Sequence, residues 1–305
     1  MGTTTQTPIS TTTLTRTFTV TPPPQITATK LPTREITLTK TPQPTIESVE
    51  AEKIVQQYLR DNRGCRLPCW WGISPGSTTR EEVREFLEPI GKIEESSIDE
   101  KLWFGYQLLD QPEGAYVTST SFFKQGKVSY IFVFSNGTSQ SYKLSQLLSN
   151  YGKPDEVNLQ VEREVFDGRP PFDLFVIYRN QGIIARYKAN TKSDSINFDE
   201  SKNLKGCFTY GPDLWLFDTK DQDLSDLKFF YGGYAGVTTD PMSPPILSID
   251  QATNMDIDTF YQKYRSSTNN CIYTPSNLWP DIGQMEATAT AMASSSKTVE
   301  PQPVP

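Results

Sequence analysis

The sequence predicts an α+β fold made of two tandem copies of one unit, a helix followed by an antiparallel meander. Three observations predict it. An amphipathic helix pattern that ends at a glycine occurs twice, the two occurrences lie about 61 residues apart, and each is followed by β-rich sequence with a Gln-Gly turn. Each helix carries one apolar stripe, which would be buried on a shared sheet with the helices on one face. The matching positions are Val83, Phe86, Leu87, Ile90, Gly91 and Lys92 in the first copy and Leu144, Leu147, Leu148, Tyr151, Gly152 and Lys153 in the second.

A helix over residues 48–62 is predicted ahead of the first copy. Ile54, Val55, Tyr58 and Leu59 fall on one face of it. Acidic residues in its first turn suit the positive end of the helix dipole, and an Arg-Gly pair ends it.

The helix of the first copy has a well-marked start. Thr78 followed by Glu81, or Thr79 followed by Glu82, fits a capping box. A proline and a glycine end this helix. The helix of the second copy is predicted over about residues 139–151, with a glycine as its end signal.

Short β-prone runs between turn signals predict the strands. The clearest turns are the Lys-Gln-Gly and Asn-Gln-Gly triplets at residues 124–126 and 180–182. The predicted strands are residues 102–109, 115–123, 127–134, 164–166, 174–179, 183–189, 214–218 and 227–234, and a further short helix is predicted at residues 256–265.

Composition divides the chain into four regions. Residues 1–45 are dominated by Thr and Pro and hold too few apolar groups to offset the entropy of ordering, which predicts a disordered stalk. A disordered tail is predicted at residues 283–305. Between them we expect the tandem-repeat domain at residues 46–190, with copies at about 72–134 and 138–189, and a disulfide-tied C-terminal extension at residues 191–282.

The charge distribution bears on the choice of partner. The net charge is −7, the pI is about 4.9, and the basic residues are scattered. Nucleic-acid binding needs a basic face that displaces counterions from phosphates, so we expect no nucleic-acid partner. No apolar run approaches the roughly 20 residues that a transmembrane helix needs.

The composition predicts a protein at the cell surface, although residues 1–20 contain no apolar signal-peptide core. The expectation is that Met1 replaces a removed export signal or that the gene start is placed wrongly. A Gly2-Thr3-Thr4 start is what would follow the lipidated cysteine of a bacterial lipoprotein. We therefore expect an exported, lipid-anchored, extracellular protein.

The four cysteines allow three disulfide pairings. The favoured pairing joins Cys65 to Cys69 and Cys207 to Cys271. The alternative is a zinc site with four cysteine ligands. Zinc sites usually use tight cysteine pairs, whereas Cys207 and Cys271 are each solitary, so disulfides are preferred.

The chain contains no histidine, which excludes Ser-His-Asp and Cys-His nucleophile systems and histidine-ligated metals. The densest acidic cluster is Asp218, Asp221, Asp223 and Asp226. Its spacing is not that of a calcium loop, and a solvated polar loop is the preferred interpretation. We expect no cofactor, no metal and no catalytic activity.

Trp70 and Trp71 are the candidate partner-binding residues. Adjacent side chains of an extended segment point in opposite directions, so one ring could be core and the other exposed beside the cysteine loop. An exposed tryptophan there could anchor a protein or stack on a sugar ring. Burial of both is the preferred interpretation, since tryptophan is usually highly buried.

Several short motifs resemble a known fold family. The sequence Gly-Ile-Ser-Pro-Gly-Ser-Thr at residues 72–78, the Glu82-Val83 pair, and Tyr-Gly-Lys-Pro-Asp-Glu-Val at residues 151–157 are similar to the pattern of the β-lactamase-inhibitor-protein-like fold. That fold includes the outer-membrane lipoproteins of the BamE (SmpA/OmlA) type. The resemblance covers about residues 70–190, and it departs from the pattern at Ile93, where a proline is expected.

A second resemblance comes from the cysteine loop, residues 65–71, and the Ile-Ser-Pro-Gly that follows at 73–76. These are similar to Thr/Pro-stalked exported proteins of Chloroflexota-type bacteria, a group without an assigned biochemistry. The resemblance implies a non-catalytic scaffold whose concave sheet, or its loops, binds another protein, and it carries over no individual functional residue.

Together these features predict an exported, lipid-anchored, non-catalytic module that binds a protein or another envelope component. Two alternatives stay open. One is a surface protein that binds or processes carbohydrate through exposed aromatic residues, and the other is an inhibitor of a secreted hydrolase.

Overall fold

The computed structural model describes residues 46–96, 100–108, 115–134, 142–161, 172–189, 197–198, 203–220 and 245–279. The chain divides into two units, Met1–Pro42 and Gln43–Pro305, and all described residues belong to the second. The predicted stalk before residue 46, the tail and the strands at 164–166 and 227–234 lie outside the described residues.

The predicted α+β class is confirmed. The described helices are α1 (Ser48–Asp61), α2 (Arg80–Leu87), α3 (Leu144–Tyr151), α4 (Ile249–Thr253) and α5 (Ile257–Tyr264). The described strands are β1 (Lys92–Ser96), β2 (Lys101–Gln107), β3 (Tyr116–Lys124), β4 (Lys127–Phe134), β5 (Glu156–Val161), β6 (Phe172–Tyr178), β7 (Ile183–Lys188), β8 (Asn197–Phe198), β9 (Asn203–Cys207), β10 (Asp213–Phe217), β11 (Ile246–Ser248) and β12 (Cys271–Pro275).

Nine strands form one large sheet in the order β1-β2-β3-β4-β10-β7-β6-β5-β11, and each neighbouring pair is antiparallel. A three-stranded sheet has the order β12-β9-β8. Strand β10 comes from the region predicted as a C-terminal extension, yet it lies between β4 and β7. The C-terminal region therefore contributes strands to the same sheet as the two predicted copies.

Local sequence signals place the helix ends. The capping box of α2 uses Thr79, whose backbone N–H donates to Glu82 Oε2 over 2.7 Å. The backbone N–H and the side-chain hydroxyl of Thr79 both donate to Glu82, and these hydrogen bonds lower the pKa of the exposed Glu82 carboxyl. Thr78 instead accepts a hydrogen bond from the backbone N–H of Ser74 over 2.9 Å. Asp256 is the N-cap of helix α5, and its carboxylate accepts a hydrogen bond from the Thr259 N–H over 2.7 Å.

The sequence analysis did not predict β1, β5, β8, β9, β11, β12 or the short helix α4. Strand β1 shows why. It is an edge strand that reads Lys-Ile-Glu-Glu-Ser, and its one apolar residue, Ile93, packs against the core. Its Glu95 forms ion pairs with Arg84 and Arg80 of α2. Pairing with β2 and contact with the helix thus outweigh a low intrinsic strand propensity.

The sheet has two chemically distinct faces. On the first face, alternate strand residues join the buried residues of all five described helices in one hydrophobic cluster. On the second face, Tyr130, Ile177, Ile184, Trp215 and Phe217 form a separate cluster to which no described helix contributes. Among the described residues, no helix is long and apolar enough to cross a membrane.

Candidate functional site

The structure buries both tryptophans that the sequence nominated for partner binding. Trp70 is 1% exposed and Trp71 is 0% exposed. Their rings stack with centroids 5.2 Å apart, and Trp71 meets Phe104 of β2 edge to face at 5.8 Å. A partner could not contact either ring without rearranging the core. The structure therefore agrees with the preferred interpretation that both tryptophans are buried.

The cysteines pair as the sequence analysis favoured. Disulfides join Cys65 to Cys69 and Cys207 to Cys271, and no cysteine is left free. The second disulfide links directly opposed residues of β9 and β12. Because all four sulfur atoms form disulfides, none is available as a thiolate ligand for the alternative four-cysteine zinc site.

Other chemistry weighed from the sequence falls mostly beyond the described residues. Asp221, Asp223 and Asp226 lie outside them, as does the aromatic run at 229–234. Asp218 is described, and its carboxylate accepts from the Lys220 backbone N–H over 3.0 Å. Within the described ranges, no group of three or more Cys, Asp or Glu side chains could hold a metal ion.

On the second face of the sheet, side-chain exposure increases from the central strands toward β2. One row of register partners crosses six strands and reads Trp103, Thr120, Phe132, Trp215, Ile184 and Ile177. The residues on β10, β7 and β6 are buried, whereas those on β2, β3 and β4 are partly exposed. A neighbouring row on the same face reads Gly105, Thr118 and Phe134.

We name six uncharged residues of β2, β3 and β4 on this face the threonine patch; Lys101 and Phe122, which are also partly exposed there, lie outside it. None of its members is charged, and all sit on paired strands of the large sheet rather than on loops. They combine aromatic rings with hydroxyl groups, and Tyr116 at one end is 37% exposed. The patch consists of Trp103, Tyr116, Thr118, Thr120, Phe132 and Phe134.

Trp103 differs from the other tryptophans in its exposure, and the sequence did not single it out as a binding residue. All five tryptophans of the chain are described, and the other four are buried. A Cβ atom added to Gly105 would lie 2.1 Å from the Trp103 Cη2 atom, so the indole lies over the glycine. The available signal was a Trp-x-Gly triplet on a strand, because residues two apart share a face.

A group of charged residues lies beside the patch on the same face, and we name it the charged quartet. Arg186 of β7 donates its Nε to Asp173 Oδ2 of β6 over 2.9 Å. Lys188 Nζ lies 3.0 Å from Asp213 Oδ2 of β10, and 5.0 Å from the ring centroid of Phe134. The quartet thus consists of two basic residues, Arg186 and Lys188, and two acidic residues, Asp173 and Asp213.

Burial shifts the titration of one member of the quartet. Asp213 is buried, which raises the pKa of its carboxyl above the ordinary value, while Lys188 and Arg186 oppose part of that rise. On the first face, burial and a hydrogen bond to Glu52 raise the pKa of Tyr106 to about 12. These shifts follow from packing and pairing, and neither group belongs to the threonine patch.

Compared with known proteins, the chain matches no protein-family model, no curated protein and no solved structure. The resemblance to the β-lactamase-inhibitor-protein-like fold therefore remains a prediction from the sequence motifs. Any assignment of function has to rest on the geometry of the chain itself.

Proposed function

We propose that this protein is a non-catalytic binding module that works outside the cell and contacts a component of the cell envelope through the threonine patch. The observation that carries the proposal is the unequal covering of the large sheet. Its first face is packed against the described helices, while aromatic and hydroxyl side chains of β2, β3 and β4 are partly exposed on the second. A paired sheet holds such side chains in fixed positions, which limits the entropy lost on binding.

The two disulfides support a location outside the cytosol. Disulfides form and persist in oxidising compartments and are rare where thiols are kept reduced. A lipid anchor at the N-terminus and a Thr/Pro-rich stalk that holds the domain away from the membrane belong to the same proposal.

The tandem repeat and the family resemblance are further parts of the proposal. The strand order supports them. From one edge the sheet runs inward as β1-β2-β3-β4, and from β10 it runs outward as β10-β7-β6-β5, with β11 added at the far edge. Two related units that meet at β4 and β10 would give this order of the first eight strands. In this arrangement β10 takes the place of a fourth strand in the second unit.

Photo-crosslinking tests the binding surface. Tyr116, 37% exposed at the end of the patch, is replaced with p-benzoylphenylalanine, which carries a photoreactive benzoyl group in place of the tyrosine hydroxyl. The matched control replaces Tyr273 of β12, which is 43% exposed in the small sheet. We expect an adduct with envelope material of the native host from position 116 and none from position 273. Equal yields at the two positions, or no adduct at 116, would overturn the proposed surface.

Intact mass tests the location. Protein purified from the native host is alkylated at thiols with and without prior reduction. We expect a lipid-sized mass increment and alkylation only after reduction. A chain that starts at Met1 and carries free thiols would contradict export.

A further inference from the structure

At the centre of the threonine patch, two small side chains lie between strands that carry larger ones, and we call this strip the cleft. Thr118 and Thr120 of β3 form its floor, and larger aromatic side chains stand on the strands to either side. Because neighbouring strands lie about 4.8 Å apart, the β2 and β4 backbones that carry these aromatic walls are about 9.6 Å apart. Two threonines spaced two residues apart add about 7 Å of length along β3.

Trp103 forms the wall on β2. The space above Gly105 is occupied by its indole, since any Cβ there would lie within 2.1 to 2.9 Å of three indole carbons. The six-membered ring therefore lies over Gly105. Because Trp103 is the register partner of Thr120 and Gly105 that of Thr118, the indole borders both threonines of the floor.

The wall on β4 consists of Phe132 and Phe134, and both rings are supported from outside the cleft. Phe132 packs on Trp215, with centroids 4.9 Å apart. Phe134 contacts Tyr116 with centroids 5.5 Å apart, and the ammonium of Lys188 lies 5.0 Å from its centroid. These contacts hold the rings in place before a ligand arrives.

The chemistry of the cleft limits the ligand. No member of the patch is charged, and the charged residues on either side of it are paired with each other: Lys188 with Asp213, and Lys92 with Glu94, the register partner of Trp103 on β1. An extended peptide that adds to a sheet gains its affinity from main-chain hydrogen bonds at an open edge. Strand β3 offers none, because β2 and β4 pair with both of its sides.

A sugar ring satisfies both features of the cleft. Its C–H face packs on an aromatic ring, and its hydroxyl groups exchange hydrogen bonds with threonine hydroxyls, which both donate and accept. A cleft lined by aromatic rings with a few polar groups is the usual make-up of a small-ligand site.

We propose that the cleft binds a neutral sugar unit of a glycan, with Trp103 as the stacking platform and Thr118 and Thr120 as the hydrogen-bonding floor. This inference rests on the proposed function, since it names the class of envelope component that the threonine patch recognises.

Isothermal titration calorimetry on the full chain tests the inference. The probes are neutral hexose and N-acetylhexosamine oligosaccharides, with uronic-acid oligosaccharides as the charged comparison and envelope polysaccharide from the native host. We expect binding of a neutral probe, with Trp103→Ala weakening it by roughly tenfold or more, as loss of a stacked aromatic face does. Tyr273→Ala, the matched exposed aromatic on the small sheet, should bind as the unchanged chain does.

Two further variants separate recognition from folding. Thr120→Val keeps the shape of the side chain and removes its hydroxyl, so we expect weaker binding with an unchanged circular dichroism spectrum. Gly105→Ala retains Trp103 but displaces its ring, and it should also weaken binding. Unchanged affinity in Trp103→Ala and Thr120→Val, or equal binding of charged and neutral probes, would overturn the inference.

The outcomes also distinguish this inference from the proposed function. If position 116 crosslinks to a protein while no glycan probe binds, the binding module stands and the glycan is wrong. If position 116 gives no specific adduct and no probe binds, both are wrong.

Discussion

The two disulfides should differ in what they contribute to stability, because they close loops of very different length. Cys207 and Cys271 are 64 residues apart, whereas Cys65 and Cys69 are 4 apart. A disulfide restricts the unfolded chain more strongly as the loop it closes becomes longer. On this basis, removing the long-range bridge costs about 4 kcal/mol and removing the short one about 2 kcal/mol of unfolding free energy.

The folded structure supports the same ranking. The short loop is also held by Asn62, whose side-chain amide donates to the Cys65 and Cys69 carbonyls over 2.9 and 2.8 Å. Its local geometry therefore has support that does not depend on the sulfurs. The bridge between β9 and β12 instead joins segments that are distant in the chain.

Urea denaturation of two double variants, followed by tryptophan fluorescence, measures the difference. Cys207→Ser with Cys271→Ser is compared with Cys65→Ser with Cys69→Ser, and thiol titration verifies that the remaining bridge is intact in each. We expect the first pair to lose about 2 kcal/mol more than the second. Equal losses, or a larger loss for the short bridge, would refute the argument from loop length.

Three other predictions concern single side chains. Asn62 has a positive φ of 51°, which glycine also adopts, so Asn62→Gly removes the side-chain hydrogen bonds to the cysteine loop without straining the backbone. We expect the free energy of unfolding in urea to fall by about 3 kcal/mol. A fall of less than about 1 kcal/mol would contradict this prediction. Thr79→Ala removes the side-chain cap of α2 and should cost about 1 kcal/mol in the same assay, whereas Ser77→Ala, just outside the helix start, should cost less. The pKa of Asp213 is raised by folding, so the folded state binds this proton more tightly than the unfolded state does. Protonated Asp213 therefore stabilises the fold at low pH, and this stabilisation is lost as the pH rises from the ordinary carboxyl pKa through the raised pKa. Asp213→Asn should remove that decline in urea unfolding measured between pH 3 and 7, and an unchanged pH dependence would show that another group causes it.

The helices were predictable because their signals are local. The apolar stripe and the capping box of α2, the glycine after α3 and the aspartate before α5 all act within about one turn of the backbone. The turn at residues 124–126 was predictable for the same reason, since Gln125 and Gly126 both adopt positive φ angles in the β3–β4 hairpin.

The strands that were not predicted lack local sequence signals of this kind. Strand β1 is charged and short, and its stability comes from register with β2 and from ion pairs to α2. The position of β10 between β4 and β7 depends on a segment that follows β7 by some 25 residues, and no local pattern encodes that pairing.

The α+β class and the main helices follow from the sequence alone, because periodicity and caps act over short distances, while cysteine spacing favoured one of three disulfide pairings without excluding the others. Only the tertiary structure decided which tryptophan faces outward. Trp70 and Trp71 were candidates for partner binding although burial of both was preferred, and the structure buries both of them in the core with α1. Trp103 instead lies on the second face, to which no described helix contributes. Exposure depends on what packs above a side chain, and those neighbours come from parts of the chain far away in sequence.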